Sequence, residues 1–307
     1  MPTGFISHPD CTKHEMGNYH PECPERLSAI EDQLLLSRIN DYLVKLSATL
    51  ATEEELSLVH SKEHINFVKS IRPASGYVEV DNDTVMNPHT WNAALRAAGA
   101  GLVAVDAIMN KEVVNAFCSI RPPGHHAEPN KAMGFCFFNN LAIAAQYAVE
   151  KFDIQRVAII DFDVHHGNGT ESAFMNNDHF LMCSFFQHPL FPFSGTFNQA
   201  DNMVNIPVPA FTNGTEIRKL VEDIWLPRLR LFQPEFIFIS AGFDAHREDE
   251  LGQMGLIESD YAWLTKQIVQ IAKEYAQGRI VSCLEGGYNL SALSRSVVAH
   301  IKELAEI

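Results

Sequence analysis

The chain has 307 residues, with 23 lysines and arginines against 38 aspartates and glutamates, a net charge of −15. So acidic a chain lacks the cationic surface that non-specific nucleic-acid or anionic-membrane binding needs. A composition of 46% hydrophobic and 20% charged residues excludes disordered, collagen-like and disulfide-scaffold classes, and this length buries about three quarters of the unfolded surface.

The first 17 residues hold no apolar run of the signal-peptide kind. No run is expected to reach the ~18 apolar residues of a membrane span. From there, helical patterns are predicted over 24–37, 61–70 and 91–109, then a strand over 114–120 and a helix over 140–151. Strands come next over 157–162, 180–185 and 203–208, then a helix over 215–232, a strand over 236–240, a helix over 259–275 and a strand over 280–284. Alternation of this kind predicts crossover units, a mostly parallel sheet and one α/β domain over 1–307. Six cysteines are scattered without a Cys-x-x-Cys pair, and Cys118, Cys183 and Cys283 lie in strand-like runs where cysteine acts as a small hydrophobe. That usage points to a reducing, cytoplasmic setting.

Four of these strands run directly into polar sequence. The segments are Arg121-Pro-Pro-Gly-His-His-Ala-Glu128, Asp163-Val-His-His-Gly-Asn-Gly169, Ala241-Gly-Phe-Asp-Ala-His246 and Glu285-Gly-Gly-Tyr-Asn289. In a parallel sheet all strand C-termini lie on one edge, and ligands bind outside it. Segments far apart in sequence are therefore expected in one crevice.

Asp161, Asp163 and His165 alternate, so at strand spacing they share a face. Such a pair of aspartates also caps helices. With His165 they offer oxygen and nitrogen ligands, and Asp244, preceded by Gly242, is the candidate third ligand of a zinc site with an open position. His125 and His126 come after a turn stiffened by prolines and freed by Gly124. Adjacent side chains diverge, so different tasks are expected of them, one being general base and acid beside a metal-bound water. Tyr288 is placed to donate its hydroxyl to a developing oxyanion.

The four motifs together, preceded by His20-Pro-Glu-Cys-Pro-Glu-Arg-Leu27, resemble the zinc-dependent histone deacetylase family, which includes acetylpolyamine amidohydrolases and acetoin-utilisation proteins. The likeness is to a bacterial, class II-like member and covers nearly the whole chain. It implies the arginase–deacetylase α/β fold and one zinc held by Asp163, His165 and Asp244. It further implies His126 as general base and acid, oriented by Asn168, and His125 as its electrostatic partner, paired with Asp161. Tyr288 would polarise the substrate carbonyl. Gly134, Phe135 and Phe191 would line an acyl-lysine tunnel, and Arg26 would lie in an internal cavity beneath the metal. A structural potassium would use the side chains of Asp161 and Ser184, with backbone oxygens of Asp161, Asp163, His165 and Phe185.

The chain departs from the family pattern in places. Asn168 stands where many members have aspartate, so His126 is expected to be less basic. Phe186 stands where a histidine is usual, and Leu251 where a polyamine-specific branch carries an acidic gatekeeper. Asp81 and Asp83 read equally as a substrate grip or as solvated turn residues.

The resemblance implies hydrolysis of an acylated amine, with an acyl-lysine peptide or protein or an acetylated polyamine as partner and no nucleic acid or membrane. Oligomeric state stays open. Two other readings compete: a binuclear manganese ureohydrolase, for which Asp244-Ala-His-Arg-Glu-Asp249 offers carboxylates, and a non-catalytic acyl-lysine binder. Neither Gly-x-Gly-x-x-Gly nor a P-loop occurs, which removes a nucleotide-binding reading.

Overall fold

The structure is a computed structural model, which describes residues 2–197 and 200–307. In chain order it runs β1 (Thr3–Ser7), α1 (Glu25–Leu36), β2 (Leu43–Ser47), α2 (Glu53–Leu56), α3 (Lys62–Ser70), β3 (Val78–Glu79), β4 (Val85–Met86), α4 (Thr90–Met109), β5 (Asn115–Cys118) and α5 (Asn140–Phe152). It continues through β6 (Val157–Asp161), α6 (Asn168–Phe174), β7 (Phe180–Gln187), β8 (Met203–Val208), α7 (Gly214–Leu220), α8 (Leu226–Phe232), β9 (Phe236–Ala241), α9 (Glu258–Tyr275), β10 (Ile280–Leu284) and α10 (Leu290–Ala305).

Eight strands form one sheet in the order β2-β1-β5-β10-β9-β6-β7-β8, and every pairing in it is parallel. The result is an α/β domain. Strands β5, β6, β9 and β10 are buried along their whole length, because helices cover both faces of the sheet. Their apolar runs are therefore continuous. Along β6 the side chains still alternate: Ala158 and Ile160 pack into one core with Leu293 and Ile301 of α10, while Val157 and Ile159 pack into the other with residues of α4 and α5. The strands that carry the polar segments, β5, β10, β9 and β6, are the adjacent central four. Their C-terminal ends bring those segments together.

Three features depart from the expectation. Strands β1, β2, β3 and β4 and helices α2, α6 and α10 are additional elements. The helix expected over 215–232 is interrupted by a π-turn at Val221–Trp225. Pro227 has no N–H to donate to the carbonyl four residues earlier, and the wider turn buries Trp225, stacked on Phe185 with ring centroids 5.6 Å apart. Helix α4 has the length and mean hydropathy, 1.3, of a membrane span, which the sequence reading did not anticipate; 72% of that window is buried in the fold.

Candidate metal centre and catalytic pocket

Asp161 ends β6, and the turn after it carries Asp163 and His165; Asp244 comes after β9. Asp163, His165 and Asp244 offer ligand atoms all within 4.8 Å of one another, the one such His/Cys/Asp/Glu group among the described residues. His165 Nδ1 lies 3.0 Å from Asp163 Oδ1 and 3.1 Å from Asp244 Oδ2. Backbone N–H groups fix the carboxylates: Gly286 N donates to Asp163 Oδ2 at 2.9 Å, and Val164 N to Asp244 Oδ1 at 2.9 Å. The cradle tolerates no side chain at Gly286, where a Cβ would stand 2.0 Å from Asp244 Oδ2 and 2.6 Å from Asp163 Oδ2. Burial, together with the neighbouring Asp163 charge, pushes the Asp244 carboxyl up to about 7. Two buried carboxylates and an imidazole nitrogen, crowded this closely, fit a divalent cation that neutralises their repulsion.

Beside this group stand the paired histidines. They were expected to diverge, but their rings lie 4.0 Å apart and differ instead in their partners. His125 Nδ1 meets Asp161 Oδ2 at 3.0 Å. Burial alone would lower the His125 pKa, but the Asp163 and Asp161 charges raise it to about 10. His126 Nδ1 meets Asn168 Oδ1 at 2.8 Å. The Asn168 amide nitrogen donates to Glu128 Oε1 at 2.8 Å, so its oxygen can only accept from His126. The proton therefore sits on Nδ1 and the Nε2 lone pair is free. Burial, with His125 and His165 beside it, holds His126 well below the ordinary imidazole range.

A cavity of about 270 Å³ opens onto these groups; His126 and His165 meet Phe135, Phe191, Leu251 and Tyr288 in its lining. Phe191 faces the edge of His126 at 5.1 Å, and Phe135 packs edge-on to Tyr288 at 5.9 Å. Gly134 and Phe135 both take positive φ, +57° and +68°. A Cβ at Gly134 would stand 2.5 Å from His126 Cδ2. A larger hollow of about 570 Å³ beside Arg228 contains none of these residues.

A family profile described as the histone deacetylase domain matches residues 20–304. The chain belongs to the histone deacetylase family. It is 37% identical to a probable deacetylase of Archaeoglobus fulgidus, over 94% of this chain and 82% of that one. It is 34% identical to a histone deacetylase-like amidohydrolase of Pseudomonas aeruginosa, over 94% and 77% respectively. Its fold superposes on the crystal structure of the HDA15 HD domain with a TM-score of 0.93, at 33% identity over 99% of this chain and 90% of that one.

The other residues expected from the histone deacetylase pattern divide between the buried floor of the site and its rim. Arg26 is fully buried and donates to Gly287 O at 2.7 Å, Glu285 O at 2.5 Å and Glu22 Oε1 at 3.1 Å. Its guanidinium lies 5.0 Å from the Tyr288 ring. Asp161 and Ser184 are buried register partners on β6 and β7, and Ser184 Oγ donates to Asn205 Oδ1 at 2.8 Å; Phe185 is buried against Trp225. Phe186, at the position of a usual family histidine, is buried with its ring 4.6 Å from that of His166. Asp81 lies 3.8 Å from Lys131 at the surface. Asp83 lines the cavity and also braces its wall, accepting from Gly134 N at 3.2 Å while Thr84 Oγ1 accepts from Phe135 N at 3.0 Å.

Three carboxylates within the quoted segments have structural roles that the sequence reading did not assign to them. Glu285, pushed up to about 7 by burial, accepts from the N–H groups of Gly124 and His125 at 2.7 and 3.1 Å. Glu22 lies buried among Arg26, Arg121 and His14. Asp249 accepts from the N–H groups of Leu251, Tyr288 and Asn289. Position directly after a strand was a usable signal for Glu285; nothing local marks the other two. The carboxylates that a second metal would need are thus engaged elsewhere: Asp249 on backbone, Glu248 on Arg295 at 3.0 Å.

Proposed function

We propose that this chain is a zinc-dependent deacetylase that hydrolyses the amide of an N-acetylated amine, with acetyl-lysine in a peptide or protein as its substrate. The observation that carries the reading is His126, which lines the cavity beside His165 while its Nδ1 is engaged by Asn168, leaving Nε2 as the nitrogen available for proton transfer. Asp163, His165 and Asp244 would hold the zinc, which when bound supplies Lewis acidity and a water of lowered pKa.

The chain's own groups do the rest. His126 Nε2 accepts a proton from the attacking water and returns it to the amine nitrogen as the C–N bond breaks. Asn168 keeps Nδ1 protonated and the ring aimed during both transfers. His125, tied to Asp161, lies against the His126 ring and acts on it electrostatically rather than by direct proton transfer. The Tyr288 hydroxyl donates to the carbonyl oxygen as negative charge builds on it. Phe135, Phe191 and Leu251 grip an aliphatic stem and exclude water. Leu251 is apolar, which favours a neutral acyl-lysine stem over a polyamine carrying further charge. A structural potassium at Asp161, Asp163, His165, Ser184 and Phe185 belongs to the same proposal, supported by the buried Asp161–Ser184 pairing. So does a reducing cytoplasmic location, which all six free cysteines suit.

A panel of acyl-lysine peptides and acetylpolyamines, compared by kcat/KM with and without a chelator, tests the proposal. Chelator-sensitive turnover that favours acetyl-lysine supports it. A preference for acetylpolyamines would replace the substrate assignment, and no hydrolysis of any member would leave the chain a binder of acylated amines.

A further inference from the structure

The turn that carries Tyr288 has little to hold itself in place. Gly286 and Gly287 precede Tyr288 and contribute no side chains, and Gly287 sits at φ +118°, a region that glycine alone enters freely. Its order comes from groups elsewhere in the chain. Arg26 binds the carbonyls of Glu285 and Gly287, and Asp163 Oδ2 takes the N–H of Gly286. The N–H of Tyr288 itself goes to Asp249 Oδ2 at 2.6 Å, and the same oxygen takes the N–H of Asn289 at 3.0 Å. The other oxygen, Oδ1, takes the N–H of Leu251 at 3.0 Å.

Asp249 is buried, so its charge depends on these donors rather than on water. Tyr288 and Leu251 both line the catalytic cavity. One carboxylate thus ties the backbone beneath one wall of the cavity to the backbone beneath another. It also sits at the N-terminal end of α10, where the helix dipole favours a negative charge.

We propose that Asp249 is a positioning residue for Tyr288: by fixing the Tyr288 N–H relative to the Leu251 loop, it sets where the phenol hydroxyl meets the substrate carbonyl. Asp249 touches neither substrate nor metal in this role. The inference rests on the deacetylase reading for its kinetic consequence, though not for the backbone restraint itself. An oxyanion donor acts only at about 2.7–3.1 Å from the developing charge. A displacement of the turn therefore weakens that bond in the transition state and leaves stem binding by Phe135 and Phe191 intact, so that the loosened Leu251 wall accounts for no more than a small rise in KM.

The test is a double-mutant cycle on the zinc-loaded protein with an acetyl-lysine peptide. Asp249→Ala is expected to lower kcat about 100-fold while KM stays within about threefold. In a Tyr288→Phe background, the same substitution is expected to lower kcat by less than about threefold, because the hydroxyl it positions is already gone. Asp249→Asn keeps one carbonyl oxygen for the two N–H groups of Tyr288 and Asn289, and should hold kcat within about tenfold of the parent. It also serves as the milder variant if Asp249→Ala does not fold. Amide exchange at Tyr288 and Asn289 is a readout independent of turnover, and should accelerate at least about tenfold in Asp249→Ala.

Equal-fold losses in both backgrounds, or unchanged exchange at the two amides, would overturn the role of Asp249. A parent protein without turnover overturns the underlying deacetylase reading instead, whereas a Tyr288→Phe variant as active as the parent removes Tyr288 as the donor and with it the kinetic role of Asp249. The exchange measurement then still decides whether Asp249 holds the turn.

Discussion

His126 Nδ1 donates to Asn168 Oδ1 across 2.8 Å, a neutral acceptor where a carboxylate would add charge. Asn168→Asp tests what neutrality does. An aspartate there favours the imidazolium and raises the His126 pKa, which the native surroundings hold low. The base must be unprotonated at the start of the reaction, so activity on the acid side falls. The acid limb of the kcat/KM profile is expected to move to higher pH by about one unit. A limb that stays in place would show that His126 is not the group titrating there.

His126→Ala removes the proposed base without touching the three metal-ligand candidates. Turnover of an acetyl-lysine peptide is expected to fall by a factor of about 10²–10⁴. Metal content by mass spectrometry should stay at the parent stoichiometry. Wild-type rates in this variant would falsify the assignment, and lost metal would mean that His126 belongs to the ligand shell.

The sequence exposes one part of this architecture and hides another. The central strands are readable because strands covered on both faces are continuous apolar runs, and each of these gives way abruptly to polar residues at its C-terminal end. Strand β1 reads Thr-Gly-Phe-Ile-Ser, with Phe5 and Ile6 as its large apolar residues, and β2 lies at the edge of the sheet with a partly exposed pattern, so neither produces a run of that kind. The proline that breaks the 215–232 helix is visible in the sequence, but the burial of Trp225 that settles the local geometry is tertiary. The same division holds in the site. Asp163, His165 and Asp244 announce themselves by residue type and place after strands. Asp249 looks like a spare carboxylate for a second metal; its bond to Tyr288 spans 39 residues, and no local pattern encodes it.

Gly286 gives a test of the metal centre that substitutes none of the ligand residues. An added methyl would lie 2.0 Å from Asp244 Oδ2, so Gly286→Ala must displace one or both carboxylates. Bound metal per chain is expected to drop well below that of the parent, with chelator-sensitive turnover lost in parallel. The parent is expected to bind one divalent ion at the cluster, and a stoichiometry of two would revive a binuclear centre. If Gly286→Ala binds metal as the parent does, the cradle is not where the ion sits.

The Glu22 cluster is expected to act on the acid stability of the fold rather than on its chemistry. Glu22 Oε2 accepts from Arg121 Nη2 at 2.7 Å, Arg26 Nη1 reaches Oε1 at 3.1 Å and His14 lies 3.4 Å away, all fully buried. Burial on its own would raise the Glu22 pKa, but the Arg121 charge, the nearby His14 and the hydrogen bonds from Arg121 prevail and hold it well below the ordinary 4.5. A carboxyl depressed on folding contributes its stability in full above the unfolded value, and loses it as pH falls through the folded one. Glu22→Gln leaves two buried guanidinium groups short of their counter-charge, and is expected to cost about 3–5 kcal/mol at neutral pH. Chemical denaturation across pH should show that gap narrowing below about 4.5, as Glu22 in the unfolded chain takes up a proton that the folded site still refuses. A gap that stays constant down to the acid transition of the parent would mean that the charge of Glu22 contributes nothing, and that its shape and hydrogen bonds alone hold the arginines.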